Sequence, residues 1–171
     1  RGIEVDESTV VLKREIAALL KVLQAHLKAI ETCIAALIET RDRLATEARR
    51  LRSVPGIGPA LAAVLIARLP ELGSLDHRRI ASLAGLAPQA CDSGSHRGKR
   101  RIWGGRADVR RALCLAGFIA SRHDPTLKAF RNRLEAAGKP PKLAITACAR
   151  KLLTILNAML RDGQEYVKQN R

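Results

Sequence analysis

Between Ser8 and Ser53 the chain contains neither Gly nor Pro, and its apolar residues recur every three or four positions. Ile16, Leu20, Leu23, Leu27, Ile30, Ile34, Leu37, Arg41, Leu44, Ala48 and Leu51 alternate by four and three, with Arg41 the one charged member. A strand cannot use that spacing, whereas a helix collects it on one stripe. Sustained over several heptads, it is the pattern of a coiled coil. Leu12, Leu19 and Ile38 widen the stripe, so packing onto a globular body or within a bundle also satisfies it. The register never slips, which favours the coiled coil. Arg41 in the seam would cost stability and fix register or orientation. Residues 1–50 are therefore assigned as a coiled-coil connector that dimerises the chain or holds a neighbouring domain at a set distance.

Residues 51–70 carry a second organising pattern. Val54-Pro55-Gly56-Ile57-Gly58 lies between two helical segments and resembles the helix-hairpin-helix DNA-binding motif. The glycines permit a tight turn and leave backbone N–H groups uncovered at the start of the next helix, where the dipole favours phosphate. Gly56 and Gly58 are accordingly candidate nucleic-acid backbone contacts, and Ile57 is the anchor between the helices. A tight structural turn that touches no DNA has the same sequence.

The remainder reads as helices separated by breakers. Asp76 suits the N-cap of a short helix over 77–84, ended by Gly85-Leu86-Ala87-Pro88. Arg106 to His123 form a helix with Val109, Leu113, Ala116, Phe118 and Ile119 on its apolar side, broken by Asp124-Pro125. Thr126 to Ala137 place Leu127, Phe130 and Leu134 together. Pro141, suited to a first helical turn, opens a last helix to about Leu160. Its stripe is Leu143, Ala144, Ala147, Leu152, Leu153, Ile155, Leu156 and Leu160. Residues 162–171 are polar and expected to fray. No segment reads as a strand. The fold class is all-α: a long coiled-coil helix, then a compact helical domain over 51–162 containing the helix-hairpin-helix, then a polar tail over 163–171.

Between these helices, residues 92 to about 104 form a glycine-rich basic loop with the protein's one Trp, Trp103. Its apolar content is too low for a buried element. The whole chain has 31 Lys or Arg against 16 Asp or Glu, a net charge of +15 and 47% hydrophobic residues, which points to a folded nucleic-acid binder. Aromatics are only 2%, so contacts go to phosphates and sugars rather than to stacked bases. Cys33, Cys91, Cys114 and Cys148 form no paired zinc motif and suggest reduced thiols in a cytoplasm. Cys33, Cys114 and Cys148 sit in apolar helical patterns and are read as core residues. No metal site is recognised: Glu71, Asp76, Asp92 and Asp108 do not form a cluster. No apolar run approaches the roughly 20 residues of a membrane span, and no signal peptide opens the chain. It starts at Arg1 rather than Met and is expected to be a piece of something longer.

Ser93, Ser95, His96 and the cations Arg97, Lys99, Arg100 and Arg101 admit a nucleophile reading. A serine hydroxyl attacking a phosphodiester forms a phosphoseryl link that conserves the energy of the broken bond, provided a base or metal activates it. Nearby cations would stabilise the charge on the non-bridging oxygens. Arg106 and Arg110 extend this cationic surface into the following helix. Chemistry alone does not choose Ser93 over Ser95, and a loop that clamps phosphates with no covalent step fits equally.

Several motifs in order carry a resemblance. Pro55-Gly56-Ile57-Gly58-Pro59, Gly85-Leu86-Ala87-Pro88, Asp92-Ser93-Gly94, Arg97-Gly98-Lys99-Arg100, Gly104-Gly105-Arg106 and Arg110-Arg111-Ala112-Leu113 resemble the insertion-sequence one-ten family of bacterial transposases, the bridge-RNA-guided recombinases. Ala149-Arg150-Lys151-Leu152-Leu153 with Asn157-Ala158-Met159-Leu160 resembles that family's C-terminal helix. The resemblance implies that Ser93 is the catalytic nucleophile and Ser95 its neighbour. It implies a DNA substrate, a guide (bridge) RNA, homo-oligomers and a bacterial cytoplasm. It also implies an N-terminal RuvC-like domain with an Asp-Glu-Asp-Asp magnesium site, which this chain does not contain. The chain alone is then expected to bind nucleic acid without cutting it. Arg97, Lys99, Arg100, Arg101, Arg106 and Arg110 are the expected nucleic-acid contacts. The rival reading is a non-catalytic helix-hairpin-helix module that binds nucleic acid and dimerises.

Overall fold

The computed structural model describes residues 7–89 and 101–167. Among them are seven helices and one ladder of two-residue strands, an all-α protein. The chain divides into two compact units, Arg1–Thr40 and Arg41–Arg171.

The first unit holds α1 (Glu7–Glu39), a single helix of 33 residues. At 1.5 Å per residue it is about 50 Å long. The heptad residues Ile16, Leu20, Leu23, Leu27, Ile30, Ile34 and Leu37 are between 41% and 63% exposed. Cys33, expected in a core, is exposed with them.

The long helix expected to continue through Leu51 is two helices. Thr40 donates its hydroxyl to the Leu37 carbonyl at 2.7 Å, Arg41 is extended (φ −128°, ψ 106°), and α2 (Asp42–Arg52) begins after it. Thr and Asp side chains compete with helical backbone bonding, and an acid suits a first helical turn. Arg41 is thus an N-cap rather than a seam residue. Ala48 and Leu51, at 7% and 0% exposed, belong to the core of the second unit, which begins at Arg41 rather than at Leu51.

That core is built around α7 (Pro141–Asp162), which packs against α2, α4 (His77–Leu83), α5 (Ala107–His123) and α6 (Pro125–Ala136). α7 buries Ala144, Cys148, Ala149, Leu152, Leu153 and Leu156. Gly117 allows its closest approach to α5: a Cβ there would lie 2.7 Å from the Ala149 nitrogen. Contrary to the sequence expectation, α7 is long and apolar enough to cross a membrane by length and composition. Its apolar residues face neighbouring helices instead, as the stripe of a core helix does. Leu143, expected in that stripe, is 49% exposed: it lies on a different face of the first turn from Ala144, which is fully buried.

Buried polar groups tie the loops to this core. Asn157 of α7, 3% exposed, accepts the Gly73 N–H and donates to the Leu75 carbonyl, both at 2.8 Å. Asp124 caps α6 by accepting the Leu127 N–H at 2.8 Å, and its second oxygen accepts the Tyr166 hydroxyl. Tyr166 also donates its N–H to Ser53 at 2.9 Å. Burial and Asp124 together raise the pKa of the phenol. The start of the polar tail is therefore fastened down rather than frayed, after a left-handed Gly163 closes α7 (φ 69°).

Candidate functional site

The turn joining α2 to α3 (Pro59–Arg68) presents its two glycines differently. Gly56 has φ +91°, and a Cβ there would meet the Ala116 carbonyl at 2.9 Å and the Ala120 nitrogen at 3.1 Å. It is glycine because the turn is pressed against α5, with Val54 and Ile57 buried beside it at 3% and 5% exposed. Gly58 has open space where a Cβ would stand. It caps α3 without a side-chain bond, Pro59 occupies the first turn, and the first intrahelical bond runs from the Ala62 N–H to the Gly58 carbonyl. The N–H groups of Ala60 and Leu61 precede that bond, at the positive end of the α3 dipole.

The residues that flank the predicted basic loop are paired. Pro88 and Gln89 (β1) pair antiparallel with Ile102 and Arg101 (β2). Strands of two residues leave no alternating pattern to read, so this ladder was invisible in the sequence. Just inside it the backbones of Gly85 and Gly105 touch: a Cβ on Gly105 would lie 2.4 Å from the Gly85 nitrogen. Both have positive φ, 68° and 61°. The Arg106 N–H donates to the Leu83 carbonyl at 2.9 Å, and the Arg110 guanidinium donates to the Gly104 carbonyl.

Arg106 fixes the other side. Its guanidinium donates to both Glu71 oxygens at 2.6 and 2.7 Å and to the Arg68 carbonyl at 2.9 Å. Those bonds hold the Glu71 carboxyl down at a pKa of about 2 and raise that of Arg106. Arg68 in turn donates to Asp108 at 2.6 Å, which lowers the pKa of that acid. Two ion pairs thus staple the end of α3 to the start of α5.

The expected site residues divide accordingly. Ser93, Arg97, Lys99 and Arg100 lie outside the described residues, as do Cys91, Asp92, Ser95 and His96. Arg101 is exposed on β2, two residues before Trp103, itself 56% exposed. Gly58 is open to solvent, whereas Gly56 packs inward. Arg106 and Arg110 hold the loop base through the bonds above. Arg68, Glu71 and Asp108 were missed as partners. Their pairing joins residues 35 and 40 apart in sequence, and no local pattern signals it.

The profile of the IS116/IS110/IS902 transposase family matches residues 48–132. The insertion element IS110 43.6 kDa protein of Streptomyces coelicolor is 34% identical over 153 residues, covering 88% of this chain and 37% of that protein. The insertion element IS900 42 kDa protein of Mycobacterium paratuberculosis is 36% identical over 137 residues, 77% of this chain and 34% of that one. The pilin gene-inverting protein of Moraxella bovis is 33% identical over 137 residues, 78% of this chain and 42% of that one. The chain spans between about a third and two fifths of the length of these relatives. With this profile match over the α2–α6 region and these relatives, the chain belongs to the IS116/IS110/IS902 family of transposases.

Proposed function

We propose that this chain is the catalytic-serine part of a DNA recombinase that cuts and rejoins DNA through a phosphoserine intermediate, guided by a structured RNA. Ser93 is the nucleophile. Its oxygen attacks a phosphodiester phosphorus, the serine O–P bond forms as the P–O bond to one deoxyribose breaks, and the proton given up by the serine hydroxyl ends on the displaced oxygen, which leaves as a hydroxyl. Attack by a second DNA hydroxyl reverses the step and restores the serine. Arg97, Lys99, Arg100 and Arg101 contact phosphates, and Arg106 and Arg110 serve this surface by holding its base.

The observation that carries the reading is the closed base of the loop. A segment bearing Asp92-Ser93-Gly94 is anchored at both ends to a rigid helical core, which suits a group that must be held for attack. The open start of α3 at Gly58 supports a phosphate contact, and the exposed stripe of α1 supports homodimerisation through a coiled coil. Magnesium belongs on this reading to a RuvC-like domain elsewhere in the protein. Glu71, Asp76 and Asp108 are each engaged by an arginine or by a helix start and do not fit a metal site. The setting is the bacterial cytoplasm, where DNA is accessible.

The test joins this chain to the rest of the transposase, adds guide RNA and labelled target DNA, and runs wild type, Ser93→Ala and Ser95→Ala on a denaturing gel. A protein–DNA adduct lost only in Ser93→Ala is expected. Recombination unchanged in Ser93→Ala would leave the chain a binding module, and loss in Ser95→Ala alone would move the nucleophile.

A further inference from the structure

The surface of α5, α6 and α7 carries a second cationic cluster that the proposed site does not use. The Arg122 and Arg131 guanidinium carbons lie 5.1 and 5.9 Å from the Phe118 ring centre. Arg133 and Lys151 lie 5.4 and 4.7 Å from that of Phe130. Each ring thus holds two cations, at least one of them from a neighbouring helix. Arg131 is steadied further by Glu135 at 2.8 Å. Between Arg122 and Lys151 there are eight Lys or Arg against two acids, and one of those, Asp124, is buried under its cap.

A charge run on a helix is ordinarily a solvated face, but these cations are seated. Stacking over a half-buried ring restricts the side chain and leaves its outward N–H groups free to donate. The cations over Phe118 also lie away from the hairpin. Ala116 and Ala120 face Gly56, and Phe118 projects about 200° around α5 from Ala116.

We infer that the Phe118–Phe130 face is a second nucleic-acid surface, which binds the phosphate backbone of duplex DNA on the side of the domain opposite the Gly58 hairpin. The partner is a duplex because both rings are already occupied by cations and so do not offer themselves to unstacked bases. That it is DNA rests on the recombinase reading above. A domain with phosphate contacts on two opposite sides can hold one duplex on each.

The test is a titration of the 171-residue chain with a mixed-sequence DNA duplex across a salt series, wild type against Arg122→Gln/Arg133→Gln/Lys151→Gln. The expected result is affinity reduced about tenfold or more, with the slope of log K against log salt shallower by about 2 to 3. Arg122→Lys/Arg133→Lys, which keeps the charge, should restore most of that slope, and thermal melting should show all variants folded. An unchanged slope in the triple variant, with wild type binding normally, overturns this inference and leaves the recombinase reading standing. A deficit confined to an RNA duplex of the same sequence assigns the face to RNA and overturns it as stated. Failure of the wild-type chain to bind any duplex removes the nucleic-acid reading itself.

Discussion

Glu71 accepts both terminal nitrogens of Arg106, and through that pair the turn after α3 grips the residue that opens α5. The carboxyl titrates at about 2 in the folded protein, chiefly through its hydrogen bonds to Arg106. A lowered acid pKa contributes stability that is fully present above the unfolded-state value, about 4.3, and is lost as pH falls towards 2. Wild type should therefore exceed Glu71→Gln in urea resistance at pH 6, and the gap should narrow from about pH 4 and close only as pH approaches 2. A gap that stays constant down to pH 2 would mean that Glu71 acts by packing alone.

The two hairpin glycines should separate stability from binding. Gly56→Ala introduces a Cβ at positive φ against α5 backbone and should cost more than about 2 kcal/mol in chemical denaturation. Gly58→Asp has room and supplies a good N-cap, so stability should hold or rise by about a few tenths of a kcal/mol. Its negative charge at the start of α3 should weaken duplex binding nonetheless. Gly58→Asp that binds as tightly as wild type would show that the hairpin makes no phosphate contact.

Tyr166→Phe leaves one oxygen of the buried Asp124 without its donor. The expected cost is about 1 to 3 kcal/mol in urea unfolding. Asp124→Ala removes the α6 cap as well, and Tyr166→Phe added to it should cost less than it does alone. Additive losses would show that the two residues act independently.

Leu23→Asp/Leu27→Asp places two charges in the exposed stripe of α1. Sedimentation should show a dimer for wild type and a monomer for the variant, with melting of the second unit unchanged. A wild-type chain that remains monomeric at high micromolar concentration would exclude pairing through this helix.

Much of the fold was legible in the chain. Asp76 was read as a cap from its position before an apolar pattern, and it accepts the Arg78 and Arg79 N–H groups. Asp124-Pro125 was read as a break and serves as one by capping the next helix. The division at Thr40–Arg41 was not legible, because apolar spacing persists across it: Leu37 and Ala48 keep register although one is exposed and the other is buried. Heptad spacing reports a stripe and does not say what covers it. Arg106 and Arg110 show the same limit for charge. Composition marked them as phosphate ligands, while their observed partners are a distant carboxylate and a backbone carbonyl, which no count of cations can supply.

The contact of Gly85 with Gly105 has a consequence for how such proteins diversify. Where two backbones meet with no side chain between them, the distance between the ends of the intervening segment is set by the frame and not by the segment's own composition. That segment can lengthen, shorten or be exchanged for a relative's as a cassette, while every residue of the helical core keeps its neighbours. A library of exchanged 90–100 segments would then vary chemistry on a constant scaffold, with the two glycines as the positions that must never vary.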